Sequence, residues 1–365
     1  MITMRVLYIP YYAGSNAYQK LLTNAVSKHG VTPIKGSMFL LFPLIRNVLA
    51  SGRPRLIHII WTHPFFVVGD YSGVAALDAI ISCGRAVLFV IDLLIVRVFG
   101  VDIVWTVHNK HNHEKQHLRL DRAVNRFVGG IASSLTVECE RAKNTIIDLF
   151  GIDEDRISVI PEGNYIGAYP DDISQYEARE WVGLDQDAFI FVYLGMIRKY
   201  KGLPDLLNAF VNVDDALLYI SGKPYSDELA NSISERVNSM PNVEARLEFI
   251  PDEELQYYMR AADVIVLPYR DIMTSGSVLL AMSFGRPVVV PRLGCIPMVL
   301  SDDGGFLYDA KDRSDFIEKL RESRSMSREE LDAMGDMNYR RARNLSWDDI
   351  GNDTVRVYRE VLNGG

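Results

Sequence analysis

Short, continuously apolar runs separated by longer helical patterns set the tightest limit on what this chain can fold into. RVLYIPYY (5–12), RLIHIIW (55–61), DIVWTVH (102–108), SSLTVE (133–138) and RISVIPE (156–162) occupy the first half. FIFVYLG (189–195), ALLYISG (216–222), VEARLEFI (243–250), DVIVLPY (263–269) and RPVVVPR (286–292) occupy the second. They do not alternate apolar with polar, so they read as strands of parallel sheets covered on both faces. The stretches between them are long enough for crossover helices. A chain of 365 residues has room for two such units. The expectation is therefore α/β: two Rossmann-like doubly wound domains facing a cleft, with the strand-end loops of both turned toward it.

The first domain is read as 1–170 and the second as 186–345, with the seam in the polar stretch IGAYPDDISQYEAREWVGLDQD. SWDDIGNDTVRVYREVL closes the chain as a separate helix over 346–365, with Ser346 placed as its N-cap.

A net charge of −8 argues against a dedicated nucleic-acid binder, which needs clustered Lys and Arg. Cys83, Cys139 and Cys295 are odd in number, far apart and form no CxxC, which fits a reducing compartment rather than a disulfide-framework scaffold. The sequence MITMRVLYIPYY runs straight into a strand without signal-peptide character, so a cytoplasmic location is expected. Residues 86–105 are almost wholly apolar, but Asp92, Arg97, Gly100 and Asp102 interrupt them, which disfavours a membrane span. The segment reads as a buried helix leading into a strand. The alternative is a helix touching a membrane surface, supported by MFLLFPLI at 38–45 with Lys35 and Arg46 beside it.

TVHNKHNHEKQH (106–117) ends in an HExxH string, His113 to His117. A zinc peptidase would need that string inside a long helix, with both His on one face and Glu114 beside the metal-bound water. Residues 113–128 have a helical pattern, and Glu138 stands at a spacing some zinc peptidases use for a third ligand. However, Glu138 ends the next strand candidate, and nothing in the sequence holds it opposite such a helix. His111 and His117 read as surface residues.

Two stretches carry more specific chemistry. In YLGMIRKYKGLPDLLNAF (193–210) a strand ends at Gly195, the loop carries Arg198 and Lys201, Gly202 follows, and a helix begins near Pro204. Two cations at a glycine-flanked strand-to-helix turn form a natural diphosphate site; taken alone, they would also suit a solvated basic turn. In PYRDIMTSGSVLLAMSFGRPVVVPRLG (268–294), Thr274, Ser275, Gly276 and Ser277 open a helix after a strand. Hydroxyls and free N–H groups at a helix N-terminus make an anion cradle, although a simple N-cap would use the same Ser. Both features fall in one domain.

With these residues in view, nearly the whole chain resembles the GT-B fold glycosyltransferases. It is most similar to the group 1, family 4-like set that builds bacterial and archaeal surface polysaccharides and glycolipids. Gly195, Arg198, Lys201 and Gly202 resemble its diphosphate-holding G-x-x-R-x-x-K-G turn. TSGS with AMSFGRPVVVP resembles its donor loop, and the closing helix resembles one that returns to the N-terminal domain. Thr106, Val107, His108, Asn109, His113 and Glu114 resemble the T-V-H-N-x-x-x-H-E pattern of one branch, which implies that His108 and Asn109 lie near the transferred sugar. Gly14, Ser15 and Asn16 resemble the turn that faces donor and acceptor, here assigned to acceptor binding.

There are two departures. Where many members carry paired Glu near the donor loop, this chain has Ile272 and Leu280, leaving Asp271 as the nearby carboxylate for a ribose. Glu162 stands where His or Asn is frequent, and is assigned to the donor site, pointing to the sugar, to a cationic neighbour or away from the cleft. The strings Asp153-Glu154-Asp155 and Asp185-Gln186-Asp187 precede strands, unlike the metal-holding DxD of the other main glycosyltransferase fold.

The resemblance thus implies a hexosyltransferase using a UDP- or GDP-linked sugar and a saccharide or lipid-linked acceptor. Its expected setting is cytoplasmic, with a membrane surface as a further contact. No metal or other cofactor and no nucleic-acid partner is expected, because Arg198, Lys201 and the 274–277 turn supply the positive charge. An inverting reaction would need a base, for which Glu114 is the candidate with His113 behind it. A retaining one would leave the proton to the diphosphate. A zinc peptidase and a non-catalytic nucleotide-sugar binder are the rival readings.

Overall fold

In a computed structural model describing residues 4–12, 17–69, 73–112 and 114–364, the apolar runs assemble into two six-stranded parallel sheets. The first contains β1 (Met4–Ile9), β2 (Val31–Lys35), β3 (Leu56–Ile59), β4 (Asp102–Thr106), β5 (Ser134–Val137) and β6 (Ile157–Val159), in the order β2-β1-β3-β4-β5-β6. The second contains β7 (Ile190–Leu194), β8 (Leu217–Ser221), β9 (Val243–Arg246), β10 (Val264–Val266), β11 (Val288–Pro291) and β12 (Gly305–Tyr308), in the order β12-β11-β10-β7-β8-β9. All ten strand candidates are strands. The edge strands β2 and β12 are additions: β2 carries Pro33, which an edge tolerates, and β12 is only four residues long.

Strand order reverses between β1 and β3 in the first sheet and between β7 and β10 in the second. In open α/β sheets, ligands collect beyond the carboxyl ends of the strands at such switch points. The loops after β7 and β10 are those that carry Arg198, Lys201 and Thr274–Ser277.

The chain divides after Glu162 and again after Leu345: the first unit takes the N-terminal part plus the segment from Ser346, and the second is Gly163–Leu345. Within the first unit, helix Trp347–Asn363 packs on helix Ala17–Lys28. The Tyr358 hydroxyl lies 2.8 Å from that of Tyr8 and 2.5 Å from His58 Nδ1. Burial holds His58 near pKa 3, so it sits neutral in this core.

The stretch read as a polar seam is folded into the second unit. Ser174 and Glu177 form a capping box that starts helix Gln175–Val182. From that helix Arg179, 1% exposed, donates to Asp263 Oδ1 and Oδ2 at 2.9 and 2.8 Å and to three backbone carbonyls, of Ala261, Gln186 and Ala188. Asp263 Oδ2 in turn accepts from the Ile190 N–H at the start of β7. The boundary therefore falls at 162 rather than 170, because the charged residues of the seam are satisfied inside the second unit. Arg179→Met, which strands Asp263 as a buried unpaired charge, is expected to cost about 3–5 kcal/mol and lower the melting temperature by on the order of 10 °C. Scanning calorimetry reads it, and Arg179→Met with Asp263→Leu should recover part of the loss.

Helix Ala75–Val98 precedes β4. It is not the buried helix of the first reading: it buries one face, including Phe89, Leu93 and Val96, and exposes the other.

Candidate active site

In the second unit the site is built on backbone geometry. Gly195 ends β7, its N–H donating to Ser221 O at 3.0 Å. The loop then stays paired with its neighbour: Ile197 N–H donates to Lys223 O, and Tyr225 N–H to Ile197 O, both at 2.9 Å. After one short helical turn, Lys199–Lys201, Gly202 adopts φ 71°, and a Cβ there would stand 1.8 Å from Pro268 O in the loop after β10. Only glycine lets these two loops approach so closely.

Lys201 folds back over the turn, so that a Cβ on Gly195 would meet its Nζ at 3.2 Å. Enclosure of its ammonium, and then the charge of Arg198, push its pKa down to about 8. The Arg198 guanidinium lies 5.0 Å from the Tyr225 ring centre, a cation–π contact that holds it at the loop. Two cations drawn together, one of them desolvated, form a costly arrangement that an anion relieves.

Ser275 is the N-cap of helix Gly276–Ser283, its Oγ accepting from Val278 N–H at 3.2 Å. The Tyr269 hydroxyl lies 2.9 Å from that Oγ, fixing the cap to the end of β10. Thr274 is buried, while Ser275, Gly276 and Ser277 are half-buried, so the first turn stays accessible. The loop after β11 braces it from behind through Cys295 N–H to Met273 O at 2.7 Å. Ile272 is buried and Leu280 half-buried, so neither position supplies a carboxylate, and Asp271 lies half-buried in the same loop.

In the first unit, His108 follows β4, and its Nδ1 lies 2.8 Å from Glu138 Oε1, with both side chains nearly buried. Strand register explains the meeting. Thr106 pairs with Thr136 across β4 and β5, so two residues further along the neighbouring positions are His108 and Glu138. Tyr18 packs edge-on to the His108 ring at 4.8 Å and Trp61 lies at 5.8 Å. Burial, followed by the charges of Glu138 and Glu162, holds the Tyr18 hydroxyl well above its ordinary pKa. Glu162 is buried and belongs to the first unit, with Tyr18 and Glu138, whereas Arg198 and Lys201 belong to the second. Asn109 is half-buried beside His108. Gly14, Ser15, Asn16 and His113 lie outside the described residues.

Residues 114–117 of the HExxH string are not helical. Asn112 Nδ2 donates to Gln116 O at 2.7 Å and Asn112 Oδ1 accepts from Gln116 N–H at 2.9 Å, closing a loop. Lys115 and His117 have φ of 53° and 47°, and the helix starts only at Leu118. Among the described residues, no group of three His, Cys, Asp or Glu is placed to hold a metal. Glu138, weighed in the sequence as a third zinc ligand, is instead the partner of His108. His111 is no free surface residue either: its Nδ1 lies 3.7 Å from Oδ2 of the fully buried Asp121. Glu114 is half-buried in the turn. The sequence signal for Glu138 was its place at the end of the strand after β4, which sequence alone could not turn into a contact.

Two parallel doubly wound sheets, the second with paired cations and a helix N-terminus at its switch point, define the GT-B class. Residues 188–324 match the family "Glycosyl transferases group 1". GDP-mannose:glycolipid 4-beta-D-mannosyltransferase of Xanthomonas campestris pv. campestris is 26% identical over 253 residues, 68% of this chain and 64% of that protein. The matched region thus spans under two thirds of that relative's length. Among solved structures, sucrose-phosphate synthase from Thermosynechococcus elongatus superposes with a TM-score of 0.76 at 16% identity, covering 100% of both chains. The Anabaena protein HepE, in complex with UDP and glucose, gives 0.73 at 13% identity, covering 98% of this chain and 99% of that one. Residues 188–324 thus carry the match to group 1 glycosyltransferases, and the chain as a whole has the GT-B fold.

Proposed function

We propose that the protein transfers a hexose from a UDP- or GDP-linked sugar to a saccharide or lipid-linked saccharide acceptor at the cytoplasmic side of a membrane. The observation that carries this reading is the Arg198–Lys201 pair at the β7–β10 switch point, in a loop that meets at Gly202 and Pro268 the loop leading to helix Gly276–Ser283. In the reaction the bond from the sugar C1 to the β-phosphate oxygen breaks, and a bond from C1 to the acceptor oxygen forms. The two cations and the amides of the 274–277 turn take up the charge on the departing diphosphate. This is the role a divalent ion plays elsewhere, so no metal enters the reading.

The acceptor hydroxyl must lose a proton. His108, oriented by Glu138, is better supported as its recipient than Glu114, because a carboxylate on Nδ1 fixes the ring and stabilises the imidazolium that forms. Glu138 is thus a positioning residue that sequence reasoning had not assigned to this role. The relative's name, a 4-beta-D-mannosyltransferase using GDP-mannose, and the HepE complex with UDP and glucose are both compatible with a nucleotide-linked hexose donor.

Thermal-shift measurements against UDP- and GDP-sugars, with and without EDTA, test the reading. One series should raise the melting temperature, since a ligand that binds only the folded state stabilises it by mass action, and EDTA should not change the rise. No response to either series would sink the donor site. A rise abolished by EDTA would sink metal independence. Binding without transfer or donor hydrolysis would leave a nucleotide-sugar binding protein instead.

A further inference from the structure

Helix Ala75–Val98 is apolar on both faces: Ala86, Phe89, Leu93 and Val96 are buried, yet a second apolar stripe is left exposed. Its 24 residues span about 36 Å. Ile80, Val87, Ile91, Leu94 and Val98 recur at three-, four- or seven-residue spacing on its exposed side, with Val98 86% and Ile80 69% exposed. Its polar residues point inward: Asp78, Ser82 and Asp92 are buried. Asp92 accepts from the Leu44 and Ile45 N–H groups at 2.7 and 3.0 Å, capping helix Pro43–Ala50, and Ser82 Oγ accepts from Val68 N–H at 3.0 Å. Phe89 stacks on Phe65 at 4.4 Å.

The helix capped by Asp92 follows directly on a second exposed apolar segment, Met38 to Leu41, in which Leu40 is 81% exposed. Arg46 on that helix lies over the Phe39 ring at 4.5 Å. Exposed apolar surface of this extent marks an interaction site.

Charge indicates the partner. The chain carries −8 overall, yet residues 28–99 hold seven Lys and Arg against three Asp; Arg97 is paired with Asp102 at 2.7 Å, and the two described Asp of this segment, Asp78 and Asp92, are buried. A second copy of the chain would bring the same cations face to face, which is unfavourable. An anionic bilayer offers acyl chains to the apolar stripe and phosphates to Arg46, which lies over Phe39. By length and composition the helix could cross a membrane, but that would strip Asp92 and Ser82 of their partners.

We propose that the exposed face of helix Ala75–Val98, together with Met38–Leu41, lies in the surface of an anionic lipid bilayer, with Arg46 at headgroup level. The attachment is separate from the donor site.

Flotation of the full chain with phosphatidylcholine vesicles, with and without about one third phosphatidylglycerol, tests it. Binding is expected to the anionic vesicles and to weaken as salt is raised. Leu40→Asp with Val87→Asp and Val98→Asp, all at exposed positions, should lower binding more than tenfold without lowering the melting temperature. Arg46→Glu should weaken binding about fivefold or more on anionic vesicles alone. Arg198→Ala with Lys201→Ala should bind vesicles like the parent, so failure of the donor site and failure of the lipid face are distinguishable. Absence of vesicle binding at low salt, binding unaffected by the patch substitutions, or a dimer dissolved by those same substitutions would overturn the proposal.

Discussion

Replacing Arg198 and Lys201 together with alanine should lower kcat by about 10²–10³-fold and abolish the thermal shift with the nucleoside diphosphate, while leaving the melting temperature of the free protein unchanged or raised. The free protein gains because a desolvated ammonium and a neighbouring like charge are both removed. Unchanged diphosphate binding would refute the site. The pH dependence follows from the same geometry. The Lys201 pKa of about 8 lies below its ordinary 10.5, so the free protein holds this group charged only below about pH 8. Diphosphate affinity should therefore be flat below pH 8. Above it, affinity should fall by up to tenfold per pH unit, until the pH reaches the pKa that the bound anion raises. The sign reverses for the stability of the free protein. Between about 8 and 10.5 the unfolded chain binds more protons at this position, so the contribution of Lys201 to stability rises with pH. Isothermal titration with UDP and GDP across pH 7–10 measures the first effect, and melting curves without ligand measure the second.

His108→Ala should reduce kcat by about 10²–10⁴-fold with little change in donor KM, because the side chain is assigned to proton transfer rather than donor binding. Added imidazole should restore part of the rate, which a merely structural role for His108 would not allow. Glu138→Gln keeps the shape of the partner but removes its charge, and should cost on the order of tenfold or more in kcat with donor binding intact. Glu114→Gln should leave kcat within about threefold if Glu138 and not Glu114 serves His108. A large loss from Glu114→Gln with none from Glu138→Gln would return the assignment to Glu114.

The strand-end placement of the residues assigned to the donor was legible because it depends on local chain geometry. Gly195, Arg198, Lys201 and Gly202 lie within one strand-to-helix turn, and Thr274 to Ser277 open one helix, so spacing alone places each set at a strand end. What stayed hidden there was the approach of Gly202 to Pro268, which depends on β7 and β10 being neighbours in the sheet. The His108 half was only partly legible. TVHN marks a strand end, but Glu138 lies 30 residues away and joins it through the register of β4 and β5. HEKQH misled because a spacing pattern does not report backbone conformation. Asn112 bonds to Gln116, and left-handed residues at Lys115 and His117 delay the helix until Leu118.

The polar stretch before Asp187 misled for a related reason. Its charges suggested a linker, yet Arg179 is buried on Asp263, a partner supplied by another strand. Helix Ala75–Val98 shows the same limit in apolar form. Its composition announces burial, but which face is covered depends on the helices that pack on it.

By itself the sequence determined the α/β alternation, the two sheets and the cationic glycine turn, because hydrophobic period and turn chemistry act within a few residues. Tertiary structure alone decided which carboxylate meets His108, where the units divide and which apolar face remains uncovered. Each of these is set by strand order, register and packing between segments far apart in the chain.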